Sequence, residues 1–262
     1  MSENDFIKFL GTAGARFVVT KQLRASGGVW YCLDGVNFLL DPGPGSLVRC
    51  LNSKPKLDPA QLQAIILSHQ HIDHSNDVNI MIEAMTDGGF KRRGEVFAPK
   101  ACLESEPIIL PYVRNYCEQL HTLRAGGSYT IAGKIHFRTP VLHDHDVETY
   151  GFIIETPRHR IAHVTDTLFS PKLESAYAGD ILILHVVRLK PDAKADREEP
   201  IKHLNLEDAR RLITAIRPRV AILTHFGMTM LRAKPWEIAA QLSQETGVEV
   251  IAASDGLRYE LS

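Results

Sequence analysis

The sequence predicts a mixed α/β fold of the α+β kind, a four-layer αββα sandwich in which two sheets pack face to face beneath outer helices. Three observations predict it. Short apolar runs recur along the chain and end in turn residues or polar clusters, as strands do. Helical spacing of apolar residues falls between such runs, mostly in the second half. No linker cuts the chain, so residues 1–262 read as one domain.

Phe6–Leu10, Val29–Leu33 and Val36–Leu40 read as an opening meander, with Asp34 and Gly35 as a tight hairpin turn. Ala64–Leu67 is a buried strand. His74–Met85 has the spacing of a helix at Val78, Ile82 and Met85. Ile135–Arg138, Phe152–Glu155, Ile161–Val164 and Ile181–Leu184 are further strands. Lys190–Pro200 is charged and Pro-flanked, an exposed loop. Leu206–Ile216 is amphipathic, with Asn205 as its N-cap and Asp208 three residues on. Val220–Leu223 is a strand, Pro235–Gln244 a helix, and Val248–Ala252 and Leu257–Leu261 close the chain as strands.

Composition excludes more than it selects. Thirty basic and thirty-one acidic residues leave a net charge of -1, which does not give a nucleic-acid binder its positive face. The adjacent Lys91, Arg92 and Arg93 form a local basic cluster whose plainer reading is a solvated loop. No apolar stretch is long enough to span a bilayer. The start MSENDFIKFL lacks the features of a signal peptide. Cys32, Cys50, Cys102 and Cys117 form no CxxC pair. A reducing, cytoplasmic location is the resulting expectation.

The chemistry concentrates in His69, Gln70, His71, Ile72, Asp73 and His74, directly after a strand. Residues two apart in an extended segment point the same way, so His69 and His71 can close on one metal. Asp73 and His74, around the turn into the next helix, can reach a second. Imidazole and carboxylate suit Zn²⁺, with Mn²⁺ or Fe as alternatives. A polar surface loop is the bland alternative. Buried without partners, three imidazoles and a carboxylate would be costly.

HQHIDH matches the HxHxDH signature, and with it the chain resembles the metallo-β-lactamase-fold hydrolases over nearly its whole length. FLGTAGAR at Phe9–Arg16 resembles the opening strand and loop of the ribonuclease Z group and of phosphoribosyl cyclic phosphate phosphodiesterase. Leu40–Gly45, LDPGPG, resembles the strand-end turn that follows there. The resemblance implies two divalent metal ions held by His69, His71, Asp73, His74, His145, Asp166 and His225. His145 rather than His143 is implied because the family ligand stands six residues before the Gly of a Tyr-Gly-Phe strand start, here Gly151. His143 is then substrate-facing or a support for the ligands. Asp166 resembles the bridging carboxylate, against a helix-capping role near Ser170. His225 resembles the last ligand of the second metal. Asp41 is either the carboxylate acceptor for a ligand imidazole or a turn residue. Asp73 and His203 are implied as catalytic, His203 assisting phosphate chemistry from its place before the Asn205-capped helix. His121, His136, His159, His163 and His185 carry no such support, although His185 ends a buried strand.

Two metals about 3.5–4 Å apart lower the pKa of a shared water toward roughly 7, and the resulting hydroxide attacks the substrate. The resemblance implies a phosphodiesterase, with another hydrolase of this fold, such as a lactonase or thioesterase, or a ribonuclease Z-type nuclease as alternatives. The tRNA-processing relatives carry a long RNA-gripping insertion where this chain has only the residues between His145 and Asp166, and their Glu is replaced by the run His185, Val186, Val187, Arg188. A small or cyclic phosphodiester is therefore the expected substrate. No membrane and no nucleic acid are expected as partners, and a homodimer is an option.

Overall fold

Alternation along the strands sorts side chains onto two faces, and in this chain both faces are apolar. Ile181 and Ile183 face one layer and Leu182 and Leu184 another; Val220 and Ile222 part from Ala221 and Leu223 in the same way. Strands of that kind must be covered on both sides. A computed structural model, which describes residues 5–104, 107–191 and 201–261, has them so covered.

One sheet holds β1 (Phe6–Phe9), β2 (Val29–Leu33), β3 (Val36–Leu40), β4 (Leu62–Ile66), β5 (Glu95–Ala98) and β6 (Gln119–Thr122). The other holds β7 (Gly127–Ile131), β8 (Ile135–Thr139), β9 (Phe152–Glu155), β10 (Arg160–Val164), β11 (Ile181–Arg188), β12 (Leu204–Asn205), β13 (Val220–Thr224) and β14 (Glu249–Ala252). The last strand, β15 (Arg258–Glu260), returns to the first sheet beside β1. The strand orders are β15-β1-β2-β3-β4-β5-β6 and β14-β13-β11-β10-β9-β8-β7, with β12 paired to β11. Each sheet starts as an antiparallel meander and becomes parallel: β3 to β6 in one, and β10, β11, β13 and β14 in the other.

The helices are α1 (Ala15–Thr20), α2 (Ser46–Asn52), α3 (Ile72–Ser75), α4 (Val78–Met85), α5 (Lys100–Leu103), α6 (Pro111–Arg114), α7 (Lys172–Ala176), α8 (Leu206–Ile216), α9 (Met228–Arg232) and α10 (Pro235–Thr246). Three apolar layers separate the four structural layers. Ile7, Tyr31 and Phe38 meet Phe137, Ile154 and Ile183 between the sheets. Cys50, Met81, Ile82 and Cys102 cover the first sheet from outside, and Leu212, Ile213, Ile238 and Leu242 cover the second. The αββα sandwich is the observed architecture. Among the described residues no helix is long and apolar enough to cross a membrane.

The expected strands Val29–Leu33, Val36–Leu40 and Phe152–Glu155 and the helix Leu206–Ile216 have the observed bounds. Asn205 caps that helix in a full capping box with Asp208. Asp34 and Gly35 turn the hairpin with φ of 47° and 75°, the left-handed pair a two-residue hairpin requires. Several expectations need correction. The helix expected over His74–Met85 is two, α3 and α4, broken where the Asp77 N–H donates to the Pro42 carbonyl. Helices are not confined to the second half, because α1 to α6 precede residue 115; they are too short for a helical period to show. The strand at Ile181 runs on to Arg188, since β12 supplies a partner for Val186 and Arg188. Only Lys190 and Pro191 of the expected loop Lys190–Pro200 are described; both are exposed.

Candidate metal centre

The carboxyl ends of parallel strands are where α/β sheets place their ligands, and here the ends from both sheets meet at one edge. Asp41 follows β3, Ser68 and His69 follow β4, Asp166 follows β10, His185 lies toward the end of β11 and His225 follows β13. Backbone bonds lock the edge. Gly14 donates to the Phe226 carbonyl, Phe226 to that of Thr12, and Tyr150 to that of Ser68. Two glycines of the opening motifs are fixed by close approach rather than by turn geometry. A Cβ on Gly14 would lie 2.2 Å from the His225 carbonyl oxygen, and one on Gly43 2.0 Å from that of Asp73. Asp41 and His225 themselves sit at positive φ, 55° and 59°, a strained setting for non-glycine residues that tends to accompany functional sites.

Two ligand sets result. In the first, His69 Nε2 lies 3.0 Å from His71 Nδ1, and His145 Nε2 lies 3.2 Å from the same atom. The imidazole tautomers follow from the other nitrogens. His69 Nδ1 donates to Ser68 Oγ (2.9 Å), which donates in turn to Asp41 Oδ2 (2.6 Å). His145 Nδ1 donates to the Lys202 carbonyl at 2.9 Å. The Nε2 lone pairs of His69 and His145 therefore converge on one point with His71, a donor set suited to a cation and poorly suited to anything else.

In the second set, Asp166 Oδ2 lies 3.2 Å from His74 Nε2 and 3.3 Å from His225 Nε2, while Asp73 Oδ2 is 3.6 Å from both nitrogens. His74 Nδ1 donates to Asp41 Oδ2 at 2.9 Å. The Nε2 atoms of His74 and His225 are buried without a hydrogen-bond partner. Buried imidazole nitrogens are rarely left so, and these two aim at the same carboxylate oxygen. Asp166 Oδ2 is also 3.9 Å from His69 Nε2, so it stands between the two sets. The arrangement fits a pair of divalent ions.

Electrostatics agree. Burial opposes charge on His74, but Asp73, Asp166 and Asp41 outweigh it and raise its pKa well above the usual value. Burial likewise opposes the Asp166 carboxylate, yet His225, His203 and His74 and the bond from His185 hold its pKa well down. Burial and the neighbouring His74 keep His69 neutral.

All seven expected ligands come together. His143 does not join them: Nδ1 lies 3.1 Å from the Asp166 carbonyl and Nε2 2.6 Å from the Tyr177 hydroxyl, so it supports the backbone of Asp166 and does not face substrate. Asp41 holds His74 directly and His69 through Ser68. Asp166 caps no helix, since α7 begins after Pro171. His203 Nδ1 is buried, unpartnered and 3.6 Å from Asp166 Oδ2. It lines a cleft of about 450 Å³ with Arg16, Val19 and Thr20 of α1, Ile72, Asp73 and His145. Three residues without support in the sequence also join the cluster. His185 lies close to His74, Asp166 and His225 but turns its Nδ1 to Asp166 Oδ1 at 3.0 Å, and His163 and Tyr31 stand behind it. Their signal was strand parity, which puts all three on the inward faces of their strands. The basic cluster is spent elsewhere: Lys91 pairs with Asp87, and Arg92 and Arg93 donate to the carbonyls of Cys117, Glu118, Ala60 and Leu62.

Comparison with known proteins agrees with this geometry. Residues 36–226 match the Beta-lactamase superfamily domain. An uncharacterized protein of Methanocaldococcus jannaschii is 34% identical over 263 residues, covering 97% of this chain and 94% of its own. A protein named Ribonuclease Z from Pyrobaculum calidifontis is 25% identical, covering 97% and 98%. Among solved structures, the metallo-β-lactamase fold protein YhfI of Bacillus subtilis superposes with a TM-score of 0.80 at 19% identity, covering 99% of this chain and 100% of its own. A diphosphatase of the PhnP family gives 0.71 at 19% identity, covering 99% and 98%. The chain belongs to the β-lactamase superfamily domain family, and is a hydrolase of the metallo-β-lactamase fold.

Proposed function

We propose that this protein is a dinuclear metal-dependent phosphodiesterase acting on a small or cyclic phosphodiester. The observation that carries the reading is Asp166 Oδ2, set between His69, His71 and His145 on one side and Asp73, His74 and His225 on the other. Two divalent ions, Zn²⁺ by donor chemistry and Mn²⁺ or Fe as alternatives, would supply an activated water and a clamp on the substrate's oxygens. Asp73, its side chain 21% exposed and lining the cleft, would hold one ion through Oδ2 and offer its other carboxylate oxygen as acceptor for the water's proton. His203 donates to a non-bridging phosphate oxygen or to the departing alkoxide, since its imidazole faces the cleft and is needed by neither ligand set. Arg16, which also lines the cleft, would offer a cation to the substrate's charge.

A ribonuclease Z-type nuclease is the second reading, favoured by the relative of that name that matches nearly end to end. Against it, β9 and β10 are joined by the short turn 156–159, so no arm projects between His145 and Asp166. Zinc-saturated protein assayed in parallel on bis(p-nitrophenyl) phosphate, a lactone, a thioester and a precursor tRNA separates the readings. Turnover of the phosphodiester above the rest is expected. Turnover of the lactone or thioester alone would sink the reading.

A further inference from the structure

Three buried side chains outside both ligand sets run in line from Asp166 into the layer between the sheets. Strand parity puts them there. His163 shares the inward face of β10 with Ile161, His185 that of β11 with Ile181 and Ile183, and Tyr31 that of β2 with Val29 and Leu33. His185 Nδ1 lies 3.0 Å from Asp166 Oδ1, the Nε2 atoms of His185 and His163 are 3.1 Å apart, and His163 Nδ1 is 2.7 Å from the Tyr31 hydroxyl.

The direction of each bond follows from the one before. A carboxylate only accepts, so His185 carries its hydrogen on Nδ1. A neutral imidazole has one N–H, so His185 Nε2 accepts, and the donor is His163 Nε2–H. His163 Nδ1 then accepts from the Tyr31 O–H. With one N–H on each ring, this is the one polarity that satisfies all three bonds. Such a row in an apolar layer is costly to place, and apolar side chains of the same shape would serve packing alone as well. What the row adds is a directed donor on Asp166 Oδ1, leaving Oδ2 turned to His74 and His225.

We propose that Tyr31, His163 and His185 form a one-way hydrogen-bond chain that orients the Asp166 carboxylate for its metal, with His185 as the positioning residue. The proposal rests on Asp166 being a ligand and is independent of the substrate. Its test starts with zinc-saturated protein labelled with ¹⁵N-histidine, in which long-range ¹H–¹⁵N spectra should give His185 as the Nδ1–H tautomer and His163 as the Nε2–H tautomer. Tyr31→Phe removes one hydroxyl and keeps the ring stacked 4.8 Å from Phe38. It should mix both tautomers and weaken zinc binding, in chelator competition, by about tenfold. His185→Leu should weaken it by about 10–100-fold. His185→Asn, whose amide nitrogen stands as many bonds from Cβ as Nδ1, should recover part of that loss. A merely structural row would lower Tm without moving tautomer or zinc affinity. Opposite tautomers in the parent, or parental zinc affinity in both Tyr31→Phe and His185→Leu, overturns the proposal; if His185→Leu does not fold, Tyr31→Phe decides. A parent that binds no zinc overturns the reading of Asp166 as a ligand, a result distinct from zinc held equally by every variant.

Discussion

His203 and His71 line the same cleft and should fail in different ways. His203 completes neither ligand set, so His203→Ala should keep its metal and lose on the order of 10²–10³ in kcat on a phosphodiester, the usual effect of removing one donor to a developing charge. His71→Ala removes a nitrogen on which two others converge, so it should lose metal and all activity. Metal content and kcat measured on the same sample separate the two; a His203→Ala variant with parental kcat would make His203 a bystander. His74 yields a further expectation. Its pKa is raised by Asp73, Asp166 and Asp41 against the opposing effect of burial, so zinc competes with a proton for that imidazole. Calorimetry in buffers of different ionisation enthalpy should record about one proton or more released per chain. At this scale the gathering of His69, His71, Asp73, His74, His145, Asp166 and His225 at one place was legible in the sequence because their order along the chain is specific. The roles of His163, His185 and Tyr31 were not, because they arise from three strands meeting across the sandwich.

Strands and helices hold these side chains by contacts that can be broken without touching a ligand. A Cβ on Gly43 would collide with the Asp73 carbonyl, so Gly43→Ala must displace the turn or α3. Overpacking of that kind costs about 1–3 kcal/mol, and lower Tm together with weaker zinc binding should follow. Zinc affinity equal to the parent's would show that α3 does not depend on that contact. Asn205→Ala removes the acceptor for two helix N–H groups, an expected loss of about 1 kcal/mol by thermal or urea unfolding. Elements were legible where local pattern and tertiary role agree: β2 and β3 close a hairpin at Asp34-Gly35, and α8 combines a capping box with one apolar stripe. β6 was not, because Gln119–Thr122 is a half-exposed edge strand with no apolar alternation, nor was the break at Asp77, made by Pro42 from a distant loop.

On the scale of the molecule, two sheets bring their parallel strand ends to a common edge, and neither sheet alone carries either of the two side-chain clusters there. His69, His71, Asp73 and His74 come from the first sheet, and His145, Asp166 and His225 from the second. The αββα layering followed from apolar runs that need covering on both faces, whereas the pairing of the sheets along the His69–Asp166 edge required the three-dimensional structure. The turn between β9 and β10 is short, so on the proposed reading cleavage of precursor tRNA should be far slower than that of a model phosphodiester; comparable rates would overturn that expectation. The account as a whole stands on two ions sharing Asp166. Elemental analysis of protein saturated with zinc and then desalted should give about two zinc per chain, falling in Asp166→Ala, where both sets lose their shared oxygen. Trace zinc in the parent, or two zinc retained in Asp166→Ala, would contradict it.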